Sequence, residues 1–177
     1  MTASTVASVR CRHRFRRAAL LALIAVGFAT TPYAQDRPQR GRATPTVLFM
    51  CPHGAAKSVL ASAYFQRAAK ERGLTVRVTS AGTEPDAHVS PAVASHLTKK
   101  GYEVPIAKPR RATADDMATA EVVISMGCDL SALPAPRGTL RRWDDVPSPS
   151  EDFARADENI RTRVVQLVEE LVGRQKP

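Results

Sequence analysis

The chain has 177 residues, of which 44% are hydrophobic and 24% charged, values of an ordinary globular protein that exclude a disordered polypeptide. Its formal charge of +9 would suit a nucleic-acid or anionic-membrane partner, but the charge is unevenly placed. Five arginines fall in the first 34 residues without an acid, whereas from Pro45 onward 18 basic residues face 16 acidic ones. No basic stripe with interleaved aromatics is left, so nucleic acid is not an expected partner.

Arg10, Arg12, Arg14, Arg16 and Arg17 precede the apolar run from Ala18 to Ala29, which is short for a bilayer span and is followed by small residues. Residues 1–34 therefore read as a secretory signal peptide, cleaved after Ala29 or Ala34. The Arg16-Arg17 pair also permits a twin-arginine signal, and an uncleaved membrane anchor is the competing reading. Cleavage implies an exported protein, periplasmic or secreted, with no stable membrane insertion. It would also remove Cys11, leaving Cys51 and Cys128 in an oxidising compartment. Residues 35–45, rich in Arg, Pro, Gln and Gly, read as a flexible leader, and 46–177 as one domain.

Within that domain, Thr46 to Met50 is a β-prone apolar run, followed by a turn containing Gly54 and a helical stretch from Ser58 to Arg72 that stops at Gly73. Leu74 to Thr79 alternates as a second strand. Ser90 to Lys100, with Pro91 near its start, and Thr113 to Thr119 read as helices. Glu121 to Met126 is another buried strand, and Gly138 to Trp143 a last one. Ser150 to Val172 is an amphipathic helix with Phe153, Ala156, Ile160, Val164, Leu167 and Leu171 on one face. Strands alternating with helices predict an α/β fold, a parallel sheet covered on both faces with ligands at the carboxyl ends of its strands. Cys51 and Cys128 each fall at such an end.

The segment Cys51-Pro52-His53-Gly54-Ala55-Ala56-Lys57-Ser58 leaves a strand and enters a helix, so its N–H groups can converge on an anion at the helix N-terminus. The same positive dipole stabilises a thiolate at Cys51, which can attack phosphorus or arsenic. Ser58 could orient that thiolate by a hydrogen bond. His53, Gly54, Ala55, Ala56, Lys57 and Ser58 form the expected oxyanion cradle, with His53 read as a structural hydrogen-bonding residue rather than a ligand. His88 and His96 read as surface residues.

The phrase from Val47 to Phe65, VLFMCPHGAAKSVLASAYF, resembles the nucleophile strand, phosphate loop and first helix of the low-molecular-weight tyrosine phosphatase and arsenate reductase family, most closely its arsenate reductase branch. The resemblance continues through Ser80-Ala81-Gly82-Thr83-Glu84-Pro85, Pro109-Arg110, Val122 to Cys128 and Trp143, and covers nearly all of 46–172. It implies a three-layer fold with a four-stranded parallel sheet flanked by helices. It also implies a small oxyanion or phosphorylated substrate, no cofactor and no resident metal, with Cys51, Lys57 and Ser58 as catalytic residues.

Three departures accompany it. Lys57 stands where the family carries the arginine of its Cys-x5-Arg-Ser signature, exchanging a planar fork for a compact charge. Gly54 replaces the loop asparagine, removing a side chain expected to brace the loop. Aligning Trp143 to Pro149 with the family's late loop puts Ser148 where its aspartic general acid stands, so that Asp144 and Asp145 become the candidate acids. Cys128 matches a redox cysteine of the arsenate reductase branch. Leu130 to Pro134 lacks a further resolving cysteine, so a three-cysteine relay is absent while an external thiol would serve. Two functions compete: cysteine-dependent phosphoester hydrolysis or arsenate reduction in weakened form, and a non-catalytic protein that binds oxyanion, holds a soft metal with His53, or carries a Cys51–Cys128 pair.

Overall fold

The computed structural model describes residues 44–175. The signal peptide and all but the end of the leader lie outside them, so those readings meet no structural counterpart. In chain order the elements are β1 (Thr46–Met50), α1 (Lys57–Glu71), β2 (Arg77–Ala81), α2 (Pro91–Lys99), α3 (Ala114–Thr119), β3 (Val122–Ser125), β4 (Thr139–Arg142) and α4 (Phe153–Gln175). The sheet runs β2-β1-β3-β4 with every pair parallel. This is the expected four-stranded α/β fold.

β1 is central and loses water on both sides, which is why it is apolar throughout rather than alternating. Val47 and Phe49, with Val122 and Ile124 beside them in register, face a core built with α1, α2 and α4. Phe65, Val93, Leu97, Ile160, Val164 and Leu167 are buried there. Leu48, Met50, Ala81 and Val123 face the opposite side, where Ala112, Met117 and Ala120 cover them. Three layers result, with the thinner cover on the α3 side.

The second strand begins later than Leu74. Gly73 takes the left-handed conformation at φ 64°, its N–H bonds the Lys70 carbonyl, and the Leu74 N–H bonds that of Ala69 at 2.9 Å. Leu74 is thus the buried apolar residue of a helix cap. Strand pairing starts only where the Arg77 N–H meets the Pro45 carbonyl at 2.8 Å. α4 likewise begins at Phe153 rather than Ser150, because Asp152 caps it by accepting the Arg155 N–H at 3.0 Å.

His88 is exposed as expected, but His96 is not a free surface residue. Its Nε2 lies 3.1 Å from the Tyr64 hydroxyl and 3.2 Å from Asp157 Oδ1, and its ring centroid is 4.8 Å from that of Phe153. Tyr64 donates to the same carboxylate oxygen. Burial, then the bond to Asp157, pushes the Tyr64 phenol far above its ordinary range, so it stays a donor. This group joins α1, α2 and α4 on the side of the core away from α3.

Ile160 is fully buried on α4 and Val165, on the opposite face, is 42% exposed. Ile160→Ala is expected to lower unfolding free energy by about 2–5 kcal/mol through loss of burial and a residual cavity. Val165→Ala is expected to stay within about 0.5 kcal/mol. Urea denaturation of both variants measures the difference.

Candidate active site

The loop between β1 and α1 is held from outside through its carbonyl oxygens. Pro52 O accepts the Glu84 N–H at 2.8 Å, His53 O that of Asp86 at 3.0 Å, and Ala55 O that of Ser90 at 3.0 Å, while Cys51 O accepts the Gly54 N–H at 3.1 Å. A peptide unit whose oxygen is tied outward turns its N–H the other way. The first N–H groups of α1 also have no carbonyl one turn earlier to bond. The Gly54 N–H is spent on the Cys51 carbonyl, so the donors left to face the mouth of the sheet are those of the neighbouring peptides, an arrangement suited to an oxyanion.

Two glycines make this approach possible. Gly54 is left-handed at φ 61°, and a Cβ on it would lie 2.9 Å from the Gly82 nitrogen. A Cβ on Gly82 would lie 2.6 Å from both the Gly54 nitrogen and the Pro52 oxygen. The left-handed conformation together with the close approach of Gly82 favours glycine at position 54, since an asparagine tolerates the first but brings a Cβ against the second. The bracing expected of the missing side chain comes instead from the segment Glu84–Ser90. Gly82 is fixed in turn: its N–H bonds the Arg110 carbonyl at 2.9 Å and its own carbonyl accepts the Ala112 N–H at 2.8 Å. Arg110 grips Asp116 through two bonds of 2.7 Å, and burial of that carboxyl is outweighed by Arg110 and Thr113, which hold it below its ordinary range.

Cys51 is buried, and its thiol donates to the Ser58 hydroxyl at 3.2 Å. When the sulfur ionises the hydroxyl can rotate to donate in return, which is the role expected of Ser58. Ala55 is buried beneath the loop. His53 is exposed, with Nδ1 3.3 Å from both the Glu84 carbonyl and Asp86 Oδ1, so it acts as a strut between the loop and its outer brace. Lys57 does not project freely: its ammonium donates to the Val146 carbonyl at 3.2 Å and would lie 3.7 Å from a Cβ on Gly127.

Cys128 is a buried free thiol, as is Cys51. Burial, reinforced by the charge of Cys51, pushes the Cys128 thiol up to about 11, against the opposing pull of the Ser125 hydroxyl, the Met126 backbone and Lys57. The Ser125 hydroxyl is fully buried and has no hydrogen-bond partner among the described residues.

The candidate acids are both engaged. Asp145 forms a two-bond pair with Arg163, one bond of 2.9 Å, and this holds its carboxyl below the usual range, opposite to what a general acid needs. Asp144 Oδ1 accepts the Gly127 N–H at 2.8 Å, and Arg142 lies 3.6 Å from Oδ2. Ser148 belongs to the entry of α4, its hydroxyl 2.7 Å from that of Ser150 and its carbonyl accepting the Glu151 and Asp152 N–H groups at 3.0 Å. Among the described residues no group of three or more His, Cys, Asp or Glu side chains is placed to hold a metal ion. Sequence reasoning missed Val146 and Asp86, the first because it acts through a backbone carbonyl.

The family model for low molecular weight phosphotyrosine protein phosphatases matches residues 46–135, half of the chain. The chain belongs to that family. An arsenate reductase structure from Archaeoglobus fulgidus is 30% identical, with a TM-score of 0.57 over 70% of this chain and 98% of that one. A thioredoxin-dependent arsenate reductase from Corynebacterium glutamicum is 29% identical, with a TM-score of 0.65 over 75% of this chain, which spans only 64% of that structure. A low molecular weight phosphotyrosine phosphatase from Vibrio cholerae shares the fold, with a TM-score of 0.65 at 22% identity over 75% of this chain and 99% of that one. The family match ends before the Trp143–Pro149 segment.

The raised thiol gives a test by titration. At pH 8 about one part in a thousand of Cys128 is expected to be thiolate, the fraction rising tenfold per pH unit toward about 11. Removing the neighbouring charge in Cys51→Ser should move the Cys128 titration downward, and the pH dependence of its alkylation, followed by peptide mass spectrometry, reports both.

Proposed function

We propose that the protein is exported and works outside the cytoplasm as a cysteine-dependent oxyanion enzyme of weakened turnover, with arsenate reduction as its best-supported chemistry and phosphoester hydrolysis as the other. The observation that carries this reading is the buried Cys51 thiol 3.2 Å from Ser58, inside a loop whose carbonyls are tied outward, with a second free thiol at Cys128. The substrate class is a small tetrahedral oxyanion or its ester, and neither nucleic acid nor a cofactor is required.

In the first step the Cys51 thiolate attacks the central atom, an oxygen leaves as water or alcohol after protonation, and loop N–H groups meet the charge on the remaining oxygens. Reduction then needs two electrons. The Cys128 thiolate can supply the attack on Cys51 sulfur: a disulfide forms, the sulfur–arsenic bond breaks, and its electron pair departs with arsenic as arsenite. Two thiols become one disulfide, so the count balances, and an external thiol must reduce that disulfide to restart the cycle. Phosphorus has no comparable lower state, and hydrolysis of its esters relies on proton donation worth about 10²–10⁴ in rate, the role weakened by Ser148.

A second reading, a non-catalytic oxyanion binder, is favoured by the commitment of the Lys57 ammonium to Val146 and of Ser148 to Ser150. Kinetics separate the two. The reduced mature protein is expected to bind arsenate or sulfate at millimolar concentration in calorimetry, more weakly in Lys57→Ala. Lys57→Arg combined with Ser148→Asp should raise p-nitrophenyl phosphate turnover above the product of the single effects, because charge stabilisation and leaving-group protonation act on one transition state. A double variant as inert as Cys51→Ser sinks the enzyme reading. Export has its own check: the intact mass of the exported protein should correspond to a start at residue 30 or 35, and a retained Met1 or Thr2 on soluble protein would contradict it.

A further inference from the structure

Two contacts of one short turn fall on different parts of the site. The Trp143 N–H bonds the Ser125 carbonyl at 2.8 Å, continuing the β3–β4 pairing, and the Val146 N–H closes the turn on the Trp143 carbonyl at 3.2 Å. Trp143 and Val146 are both buried, which fixes the turn from beneath. From it, Asp144 Oδ1 reaches the Gly127 N–H at 2.8 Å, and the Val146 carbonyl reaches the Lys57 ammonium at 3.2 Å. Gly127, left-handed at φ 84°, is the residue on which the chain swings from β3 into Cys128. Lys57 lies against that same glycine.

The geometry points to Asp144 as a positioning residue rather than a proton donor: by accepting the Gly127 N–H it holds the Gly127–Cys128 turn against the Lys57 ammonium, keeping the second thiol in register with Cys51. Oδ1 is taken by the Gly127 N–H and Oδ2 has Arg142 3.6 Å away, so the carboxylate is oriented by the turn it holds. A left-handed glycine has no side chain to restrain the turn, so its N–H is the available handle. The inference rests on Cys51 and Cys128 being the working thiols, and it would assign to the Trp143–Val146 segment a clamping role in which charge matters less than the acceptor.

Asparagine keeps a carbonyl oxygen at the same reach and cannot act as an acid. The test compares Asp144→Asn and Asp144→Ala in the otherwise intact mature protein, after thermal melts establish that each is folded. The first measurement is the rate of Cys51–Cys128 disulfide formation with diamide, an azo oxidant that takes up both thiol protons and both electrons. Asp144→Asn is expected within about twofold of wild type, and Asp144→Ala about five- to tenfold slower, the loss of one hydrogen bond. The second is the pH profile of arsenate or p-nitrophenyl phosphate turnover, in which Asp144→Asn should leave the profile's shape unmoved. An Asp144→Asn variant as impaired as Asp144→Ala, with a changed profile, would make Asp144 a proton donor and overturn the inference. So would an Asp144→Ala variant whose thiols pair at the wild-type rate, or a wild type whose thiols do not pair at all. Because thiol pairing needs no substrate, absence of oxyanion binding would defeat the proposed function while leaving this comparison decisive.

Discussion

The site depends on one constraint, the contact of Gly54 with Gly82. With hydrogen atoms alone at these two α-carbons, the segment after β2 comes close enough to the cysteine loop for its N–H groups at Glu84, Asp86 and Ser90 to capture the loop's carbonyls. Those bonds fix which way the peptide units of the loop face. A loop of the same length without the outer brace would be free to turn its carbonyls inward, and an oxyanion would meet oxygen rather than N–H. The order of the sheet serves the same end, since β1 lies between β2 and β3 and so the cysteine loop lies between the brace on one side and the Cys128 turn on the other.

How much of this is legible in sequence follows from what kind of atom does the holding. β1 and β3 read correctly because strands buried on both faces carry a continuous apolar signal. Leu74 misleads because an apolar residue closing a helix cap looks the same as the first residue of a strand. His96 was expected at the surface because its partners, Tyr64 and Asp157, come from other helices and only the packed fold brings them to it. Cys51, Ser58 and the glycine of the loop are side-chain or conformational signals, and the motif exposes them. The carbonyl of Val146 and the N–H of Gly127 are backbone groups, which every residue possesses and no motif can mark.

The substitution of lysine for the family's arginine takes a different meaning in this setting. An arginine reaching the same place would offer a planar fork with five donors, enough to hold a neighbouring carbonyl and two oxyanion oxygens together. A lysine ammonium has three donors, and Val146 takes one. What remains is a compact positive charge beside both the cysteine loop and the Cys128 turn, suited to lowering the cost of negative charge on sulfur more than to matching the oxygens of a transition state. Ser148, which the alignment sets at the acid's position, is itself engaged in the hydrogen bonding that starts α4. On the proposed reading both changes bear on proton-dependent ester cleavage, while the two thiols and the cation near them stay in place.

The coupling of the thiols then sets an order of events on the proposed reading. While Cys51 is a thiolate, its charge joins burial in holding Cys128 protonated, at a pKa of about 11, so the second thiol is kept from oxidants and from competing for the substrate. Once Cys51 has formed a bond to arsenic its own charge is gone. The repulsion from that sulfur goes with it, while burial, the larger cause, still raises the Cys128 thiol against the Ser125 hydroxyl, the Met126 backbone and Lys57. On the proposed reading, repulsion from the Cys51 sulfur no longer adds to burial once there is an adduct for Cys128 to attack. On the proposed reading, then, burial keeps Cys128 protonated in the resting protein, and its place beside Cys51 and Lys57 suits it to be the second nucleophile.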